Sequence, residues 1–589
     1  MNALAPASVA ILEAFSRNGA QAIIAGLQRH GIDTIFGYPG GCIMPLYDAL
    51  LESDIRHVLC RHEQGAALAA DGYARASGRL GVCVATSGPG ATNLITGIAN
   101  AYMDSIPLLV LTGQVPRALM GTDAFQETDI LGMTLGIVKH SYLVTDSNQL
   151  PAILDEAITL ATTGRPGPVL IDLPKDVLLS SLDEARTRSP LTLLKKRVRD
   201  ADSTELVRAR QMLAQAKRPL LYSGGGVMAA EALPALRRFA SRTGIPQVVS
   251  LKGIGNPGIL WEHDLSLDLG MLGMHGSRAA NEAVQAADLL ICVGARFDDR
   301  ATGKIDRFAP NAKVIQLDCD AAEIGKLKTT DIGLLGNLNQ LLDELGSELN
   351  APLAIAEWRG WCRRAKAERG YPAPDTHPYF QRRITGPAFL QHLSQIAGSD
   401  ARVTCDVGQH QMWVAQFYAF DHPRKHLSSG GLGTMGFGLP AALGAQLALG
   451  PDTCVINVSG DGSFLMNVQE LATLKRYQLP VKIIILDNQC LGMVRQQQEL
   501  FYGNRESEID LSDNPDFVAL AAAFGIAGHR IDEPGQIDEA IRRCLTSTGP
   551  YLLHVQIHVA DNVWPIVKPG CGNDQMIEAG EVLQAGEIR

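Results

Sequence analysis

The chain has 589 residues, too many for one hydrophobic core, so two to four domains are expected. A net charge of −10 argues against nucleic acid as the main partner. Eleven cysteines without a Cys-x-x-Cys pair suggest neither a zinc site nor a disulfide framework and fit a reducing cytoplasm. The apolar runs are strand-sized and the first residues lack a basic-then-apolar signal, so neither a membrane span nor export is expected.

The 59 glycines and 30 prolines suit an α/β protein with many tight strand-to-helix turns. Two polar stretches read as linkers. One runs from about Ser180 to Ser203 and carries Arg186, Arg188, Lys195, Lys196, Arg197 and Arg199. The other runs from about Glu357 to Arg383 and carries Pro372, Pro374 and Pro378. They leave three domains, at 15–185, 200–350 and 385–570, each doubly wound around a mostly parallel sheet.

In the first domain, Ala20–His30 reads as an amphipathic helix and Thr34–Gly37 as a strand, followed by the turn Gly37-Tyr38-Pro39-Gly40-Gly41. The short strand Val58–Cys60 leads into Arg61-His62-Glu63-Gln64-Gly65 and an Ala-rich helix. Glu63 in that first turn is either a dipole partner or a partly buried acid suited to hydrogen bonding a ring nitrogen. Val82–Ala85 precedes a second turn, Thr86–Asn93, and Pro107–Gly113 and Pro168–Pro174 are further buried strands.

In the middle domain, strands Pro219–Ser223, Ala287–Val293 and Val314–Asp318 end in Gly224-Gly225-Gly226, in Gly294-Ala295-Arg296 and in an acid. This suits a nucleotide-type sheet, but no Gly-x-Gly-x-x-Gly opens it, so a purely structural domain remains an equal reading.

The third domain opens with strand Arg402–Asp406, then Val407–Trp413, then the glycine-dense loop Ser429–Pro440. Val455–Asn488 reads as one strand–loop–helix–strand unit, with a helical pattern from Phe464 to Leu474. Asp461 and Asn488, 27 residues apart, fall just past their strands, at the edge where open α/β sheets bind ligands. Gly460 and Gly462 allow backbone N–H groups to approach a phosphate. One carboxylate and one amide oxygen suit Mg²⁺ shared with phosphate oxygens. The alternative is an ordinary strand–turn–helix with a capping Asp.

The 461–488 spacing resembles the Gly-Asp-Gly…Asn-Asn signature of thiamine diphosphate enzymes, with Asp487 where the family often has its first Asn. Gly37–Gly41, Arg61–Gly65, Thr86–Asn93, Gly113-Gln114-Val115-Pro116 and Gly121–Glu127 resemble the pyrimidine-binding domain of the acetohydroxyacid (acetolactate) synthase family. Gly164–Pro168, Gly270–Gly276 and Gly294–Arg300 resemble its flavin-binding segments, and the third-domain motifs match it closely.

That resemblance implies that Glu63 hydrogen bonds N1′ of the cofactor's aminopyrimidine, favouring the imino tautomer that deprotonates the thiazolium. It implies that Gly41 and Gln126 line the reaction centre with Phe125 near the second substrate. Arg165, Gly224, Gly225, Gly226, Met274, His275, Gly294, Arg296, Asp298 and Asp318 would hold FAD, and Arg300 would pair with a 2-ketoacid carboxylate. Gly408, Gln409, His410, Gly462 and Ser463 would bind the diphosphate, Gly433 would face the 4′-amino group and Met435 would wedge the bent cofactor. Asp461, Asn488 and the Cys490 carbonyl would bind Mg²⁺, and Met493 and Val494 would line the substrate cavity.

Gln497 stands where many relatives carry Trp, which with Gln496 and Gln498 looks most like the isozyme I type of bacterial large subunit. The implied reaction decarboxylates pyruvate and joins the two-carbon unit to pyruvate or 2-ketobutyrate. The implied assembly is a homodimer with shared active sites, extendable to a tetramer, with a small regulatory subunit. Two other readings are weighed. A sister lyase such as glyoxylate carboligase lacks the acid at Glu63, and a flavin-binding redox or regulatory protein would not need an intact Glu63, Asp461 and Asn488.

Overall fold

The computed structural model describes residues 17–183, 203–257, 267–348, 352–374 and 383–579. Two compact units form, one from residues up to 183 apart from 75–78, the other from 75–78 and the chain beyond 203.

The first unit is built on strands β1 (Thr34–Gly37), β2 (Arg56–Leu59), β3 (Gly81–Ala85), β4 (Leu108–Gln114), β5 (His140–Leu143) and β6 (Pro168–Pro174). All pair in parallel, in the order β2-β1-β3-β4-β6-β5. β3, β4 and β6 are buried along their whole length, as expected of a sheet covered by helices on both faces. Helices Gly19–Arg29 and Leu150–Thr162 lay apolar stripes over Leu109, Leu111 and Ile171.

The second unit holds two sheets. One comprises β7 (Pro219–Ser223), β8 (Gln247–Val249), β9 (Asp268–Met271), β10 (Leu289–Val293), β11 (Lys313–Asp318) and β12 (Ile332–Leu335), in the order β12-β11-β10-β7-β8-β9. The other comprises β13 (Arg402–Cys405), β14 (His426–Ser428), β15 (Val455–Gly460), β16 (Lys482–Asp487), β17 (Ala527–Ile531) and β18 (Tyr551–Gln556), in the order β14-β13-β15-β16-β18-β17. Every pair in both is parallel. The chain is therefore α/β with three six-stranded parallel sheets.

Strand order reverses between β1 and β3, between β7 and β10 and between β13 and β15. A crevice opens outside the carboxyl ends of the strands at such a switch point. The loops there are 38–43 and 86–93, 224–226 and 294–298, and 406–408 with 461–463, the same glycine turns that the sequence marks.

Two expectations are corrected. The stretch from Glu357 is not a plain linker, because Ala356–Arg369 is a helix. Trp358, Cys362 and Ala365 form a buried stripe beneath its charged residues, and Trp358 Nε1 donates to the Pro219 carbonyl at 2.9 Å. The helical pattern from Phe464 to Leu474 is not one helix. It breaks into Asp461–Leu465, a 3₁₀ turn at Val468–Glu470 and Leu471–Tyr477. Buried Asn467 causes the break, its side chain drawn away to donate to the Gly436 carbonyl at 2.8 Å. The basic residues at 186–199 and Pro378 lie outside the described residues. Among the described residues no helix is long and apolar enough to cross a membrane.

Ile484 sits mid-strand in β16 with 1% of its surface exposed, inside the core of the third sheet. Ile484→Ala should destabilise the second unit by about 2–5 kcal/mol. Denaturant unfolding of variant and parent checks this.

Candidate active site

The switch point of the first sheet gathers Glu63, Gly40, Thr86–Asn93 and Gln126. Glu63 begins the helix Glu63–Ser77 immediately after β2 and is only partly buried. Asn93 Nδ2 donates to Glu63 Oε2 at 3.0 Å, so the acid does more than cap its own helix. A Cβ on Gly90 would lie 3.4 Å from Glu63 Oε1 and 2.8 Å from Thr86 Cγ2, and one on Gly40 would strike Thr86 at 2.4 Å. Cys42 N donates to Thr86 Oγ1 at 3.2 Å, closing the first loop on the second.

Gln126 has φ = 61°, and Gly88, itself at φ = 58°, lies so close that a Cβ would meet the Gln126 Cα at 2.9 Å. Only glycine serves at 88, because both the left-handed backbone and the contact exclude a side chain. Gly41 is exposed with open space beside it, and Phe125 is 87% exposed. Arg165 belongs to this unit, with Nε donating to Ser105 Oγ at 2.8 Å.

Behind this cluster lies an arrangement the sequence reading missed. Asp172, at the end of β6, is buried and accepts from Thr112 Oγ1 at 2.6 Å and from Gln114 Nε2 at 3.0 Å. Gln114 Nε2 also donates to the Thr128 carbonyl at 2.8 Å, and its Oε1 accepts from Val115 N at 2.9 Å. Asp172 thereby fixes the amide that anchors the loop carrying Phe125 and Gln126. Burial pushes its carboxyl up to about 7.

At the switch point of the middle sheet, Gly224, Gly226 and Gly294 meet backbone to backbone. Gly226 N donates to the Gly294 carbonyl at 2.8 Å, and a Cβ on any of the three would fall within 2.6–2.8 Å of the others' backbone or of Ala295. Gly225 packs against the Lys252 side chain. Asp298 caps the helix Asp299–Thr302 through Arg300 N and Ala301 N, and burial raises its carboxyl.

Met274 N donates to the Arg300 carbonyl at 2.8 Å, and Arg300 Nη1 approaches Met274 Sδ at 3.4 Å. The Arg300 side chain is 66% exposed, and its Nε lies 3.6 Å from the Asp299 carboxylate. His275 is buried, which holds its imidazole down to about 4, and its Nδ1 lies 3.2 Å from the Pro565 carbonyl. Asp318 ends β11 and accepts from Asp320 N. The structure brings Gly224, Gly226, Gly294, Arg296 and Asp298 to one sheet edge, with Met274 on Arg300 beside them.

The switch point of the third sheet holds a pocket walled by Gly408, Gln409, His410, Met435, Gly460, Asp461, Gly462, Ser463, Asn488, Cys490, Met493 and Val494. Nearly the whole predicted diphosphate and metal set is thus in one cavity, the exception being Gly433, which is exposed at φ = 72°. Glycine at 408 and 460 leaves room for the His410 ring, since a Cβ on either would fall 2.8–2.9 Å from it. His410 is buried and held neutral, its imidazole lowered to about 3, and its Nε2 has no hydrogen-bond partner among the described residues. An orphaned buried nitrogen beside glycine backbone suits a phosphate oxygen.

Asp461 follows β15 and is 3% exposed. Burial and the neighbouring Asp487 both push its carboxyl well above the usual range. Asp487 has its own partner, His554 Nε2 at 2.7 Å, whereas Asp461 accepts from the neutral Asn514 amide at 2.9 Å. Asn488 Nδ2 donates to Gln409 Oε1 at 3.1 Å, and its Oδ1 accepts from Cys490 N at 3.3 Å with a second lone pair left for a ligand. Gln489 takes φ = 56° to turn the chain, pinned by Leu491 N to the Ile509 carbonyl and Leu511 N to the Gln489 carbonyl.

Among the described residues no three His, Cys, Asp or Glu side chains gather as a metal site. The donors are one carboxylate, one amide oxygen and one backbone carbonyl, a set that fits Mg²⁺ when a ligand's phosphates complete its shell. Asn514 and His554 carried no sequence signal beyond being polar residues near apolar runs.

A glycine-lined phosphate cradle beside a magnesium-type donor set, with an acid among glycine loops at another sheet's switch point, defines a thiamine pyrophosphate enzyme. Family models agree: the N-terminal TPP binding domain matches residues 17–133, the central domain 206–345 and the C-terminal TPP binding domain 406–555. The chain is 53% identical over 95% of its length to the acetolactate synthase isozyme 2 large subunit of Escherichia coli (strain K12), covering 99% of that protein. It is 47% identical over 95% to the acetolactate synthase large subunit of Parasynechococcus marenigrum (strain WH8102), covering 91% of it. It is 43% identical over 96% to the chloroplastic acetolactate synthase of Arabidopsis thaliana, covering 85% of it. The chain belongs to the acetolactate synthase large-subunit family. The Escherichia coli relative's name carries isozyme number 2, where Gln497 and its neighbours pointed to type I.

Asp172 yields a pH test. Its folded pKa of about 7 lies above the unfolded value of 3.8, so its stabilising contribution is full below 3.8 and lost as pH rises through about 7. Asp172→Asn keeps an oxygen for Gln114 and stays neutral throughout. The thermal midpoint of the variant minus that of the parent should therefore grow from pH 5 to pH 8 and level off above about 7. A difference independent of pH would contradict the raised carboxyl.

Proposed function

We propose that this chain is a catalytic large subunit that decarboxylates pyruvate and joins the two-carbon unit to a second 2-ketoacid. The products are 2-acetolactate or 2-aceto-2-hydroxybutyrate, at the first common step of branched-chain amino acid biosynthesis. The observation that carries the reading is the pocket of the third sheet, where Asp461, Asn488 and Cys490 offer metal-type oxygens next to Gly408, His410 and Gly462. Thiamine diphosphate, when bound there, supplies the carbanion chemistry of the reaction.

The protein's tasks are then few. His410 Nε2 and the backbone at 408 and 460–463 take up phosphate oxygens, and Asp461 takes a divalent cation that offsets its repulsion from Asp487. Glu63 holds a proton at its Oε1, the oxygen facing Gly90, while Asn93 steadies Oε2. In the first unit Gly41 and Gln126 face reacting groups; in the second, Arg300 takes a substrate carboxylate and Met435, Met493 and Val494 offer apolar walls. Arg165 and the glycine cradle at 224–226 and 294, with Met274, His275, Arg296, Asp298 and Asp318, suit FAD, because a Cβ at the cradle would fill the approach to the backbone. We further infer a homodimer that shares its active sites, a small regulatory subunit suggested by relatives named as large subunits, and a cytoplasmic location.

Glu63→Gln tests the proton role. Turnover should fall by roughly 10²–10⁴ while FAD content and fold survive. Parent-like turnover would remove Glu63 from the mechanism.

Gln497 tests acceptor choice. It lies one helical turn from Met493, which lines the pocket, on the helix Gly492–Phe501. A methylene in an apolar pocket is worth about 1–3 kcal/mol, and Gln supplies little such surface. Gln497→Trp should raise preference for 2-ketobutyrate over pyruvate by roughly 10-fold or more. Product ratios from mixed substrates check this, and identical ratios would place Gln497 outside the acceptor pocket.

A further inference from the structure

We propose that Gln496 is a positioning residue that helps hold the oxygen of Asn488 toward the metal, through a relay of side-chain amides. The proposal rests on the reading of Asn488 as a magnesium ligand.

An amide can present either its oxygen or its nitrogen, and only the oxygen binds Mg²⁺. Asn488 donates Nδ2 to Gln409 Oε1 at 3.1 Å while its Oδ1 accepts from Cys490 N at 3.3 Å, so Gln409 is the side-chain half of what orients it. Gln409 is held in turn. Its Nε2 donates to the Asp561 carbonyl at 2.8 Å and to Gln496 Oε1 at 3.4 Å.

Gln496 is fully buried and locked at both ends to one residue. Its Nε2 donates to the Val563 carbonyl at 2.8 Å, and its Oε1 accepts from Val563 N at 2.8 Å. A flipped Gln496 would face donor to donor and acceptor to acceptor, so the backbone at 563 allows one orientation. That orientation, together with the Asp561 carbonyl, holds Gln409, and Gln409, together with Cys490 N, holds Asn488.

The close packing leaves no slack. A Cβ on Gly492 would fall 1.9 Å from Gln409 Oε1 and 2.5 Å from Asn488 Nδ2. The relay also ties the chain after β18 to the metal loop, so backbone about 75 residues away in sequence reaches the ligand through two side chains.

The test is calorimetric titration of Mg²⁺ into FAD-loaded protein with excess thiamine diphosphate, for Gln496→Met, Gln496→Glu and Asn488→Ala. Gln496→Met keeps the volume and removes both hydrogen-bonding ends. It should weaken Mg²⁺ by 10–100-fold, the usual cost of removing an outer-shell partner, with FAD content unchanged. Gln496→Glu keeps an oxygen for Gln409 and should lose clearly less. Unchanged Mg²⁺ affinity in Gln496→Met alongside weakened affinity in Asn488→Ala overturns the relay. Equal losses in both Gln496 variants also overturn it, because the tie to Val563 alone would then matter. Unchanged affinity in Asn488→Ala overturns the metal reading beneath it.

Discussion

Two carboxylates, Asp461 and Asp487, stand side by side almost without water at the carboxyl edge of the third sheet. Like charges in such a place cannot both ionise unless a cation joins them. Asp487 has His554, which leaves Asp461 as the acid whose charge depends on what enters the pocket. The surrounding features answer this demand. Gly408, Gly460 and Gly462 line the same pocket, as do Asn488 and Cys490, together with the buried imidazole of His410, whose Nε2 has no hydrogen-bond partner among the described residues.

The same topological solution is used three times. Each sheet has an interior strand-order reversal that places glycine turns outside the strand ends. What differs is the side chain each crevice offers: an acid at Glu63, a glycine cradle with Asp298 and Arg300, and the Asp461 pocket. The two crevices of the second unit are mechanically joined. Gln416, on the helix Gln409–Phe417, donates to the His275 carbonyl at 3.0 Å, and Tyr371 donates to the same carbonyl at 3.0 Å. A shift of the helix that carries Gln409 and His410 would therefore be felt at His275.

Much of this was legible in the sequence because the chemistry sits next to strand ends. Glu63, Asp461 and the glycine turns follow apolar runs directly, and spacing alone carries them to a sheet edge. What stayed hidden depends on tertiary partners. Asp172 and Gln114 lie 58 residues apart, and neither shows its role until β4 and β6 pair. Gln496 read as part of a polar run because its partner, Val563, comes from beyond β18. Asn467 breaks a helix that periodicity predicts, since the Gly436 carbonyl that captures it is distant in sequence. The helix Ala356–Arg369 looked like a linker because its buried stripe is three residues wide in a charged background.

The central claim is that the Asp461 carboxyl, protonated more readily than usual because it is buried beside Asp487, gives up its proton when a divalent cation and thiamine diphosphate bind together. Calorimetry at neutral pH in two buffers of different ionisation enthalpy measures it directly. The account predicts that thiamine diphosphate binding requires Mg²⁺ and releases protons, and that Asp461→Asn abolishes the release. Tight binding without Mg²⁺, or binding with no proton released by the parent, would contradict it.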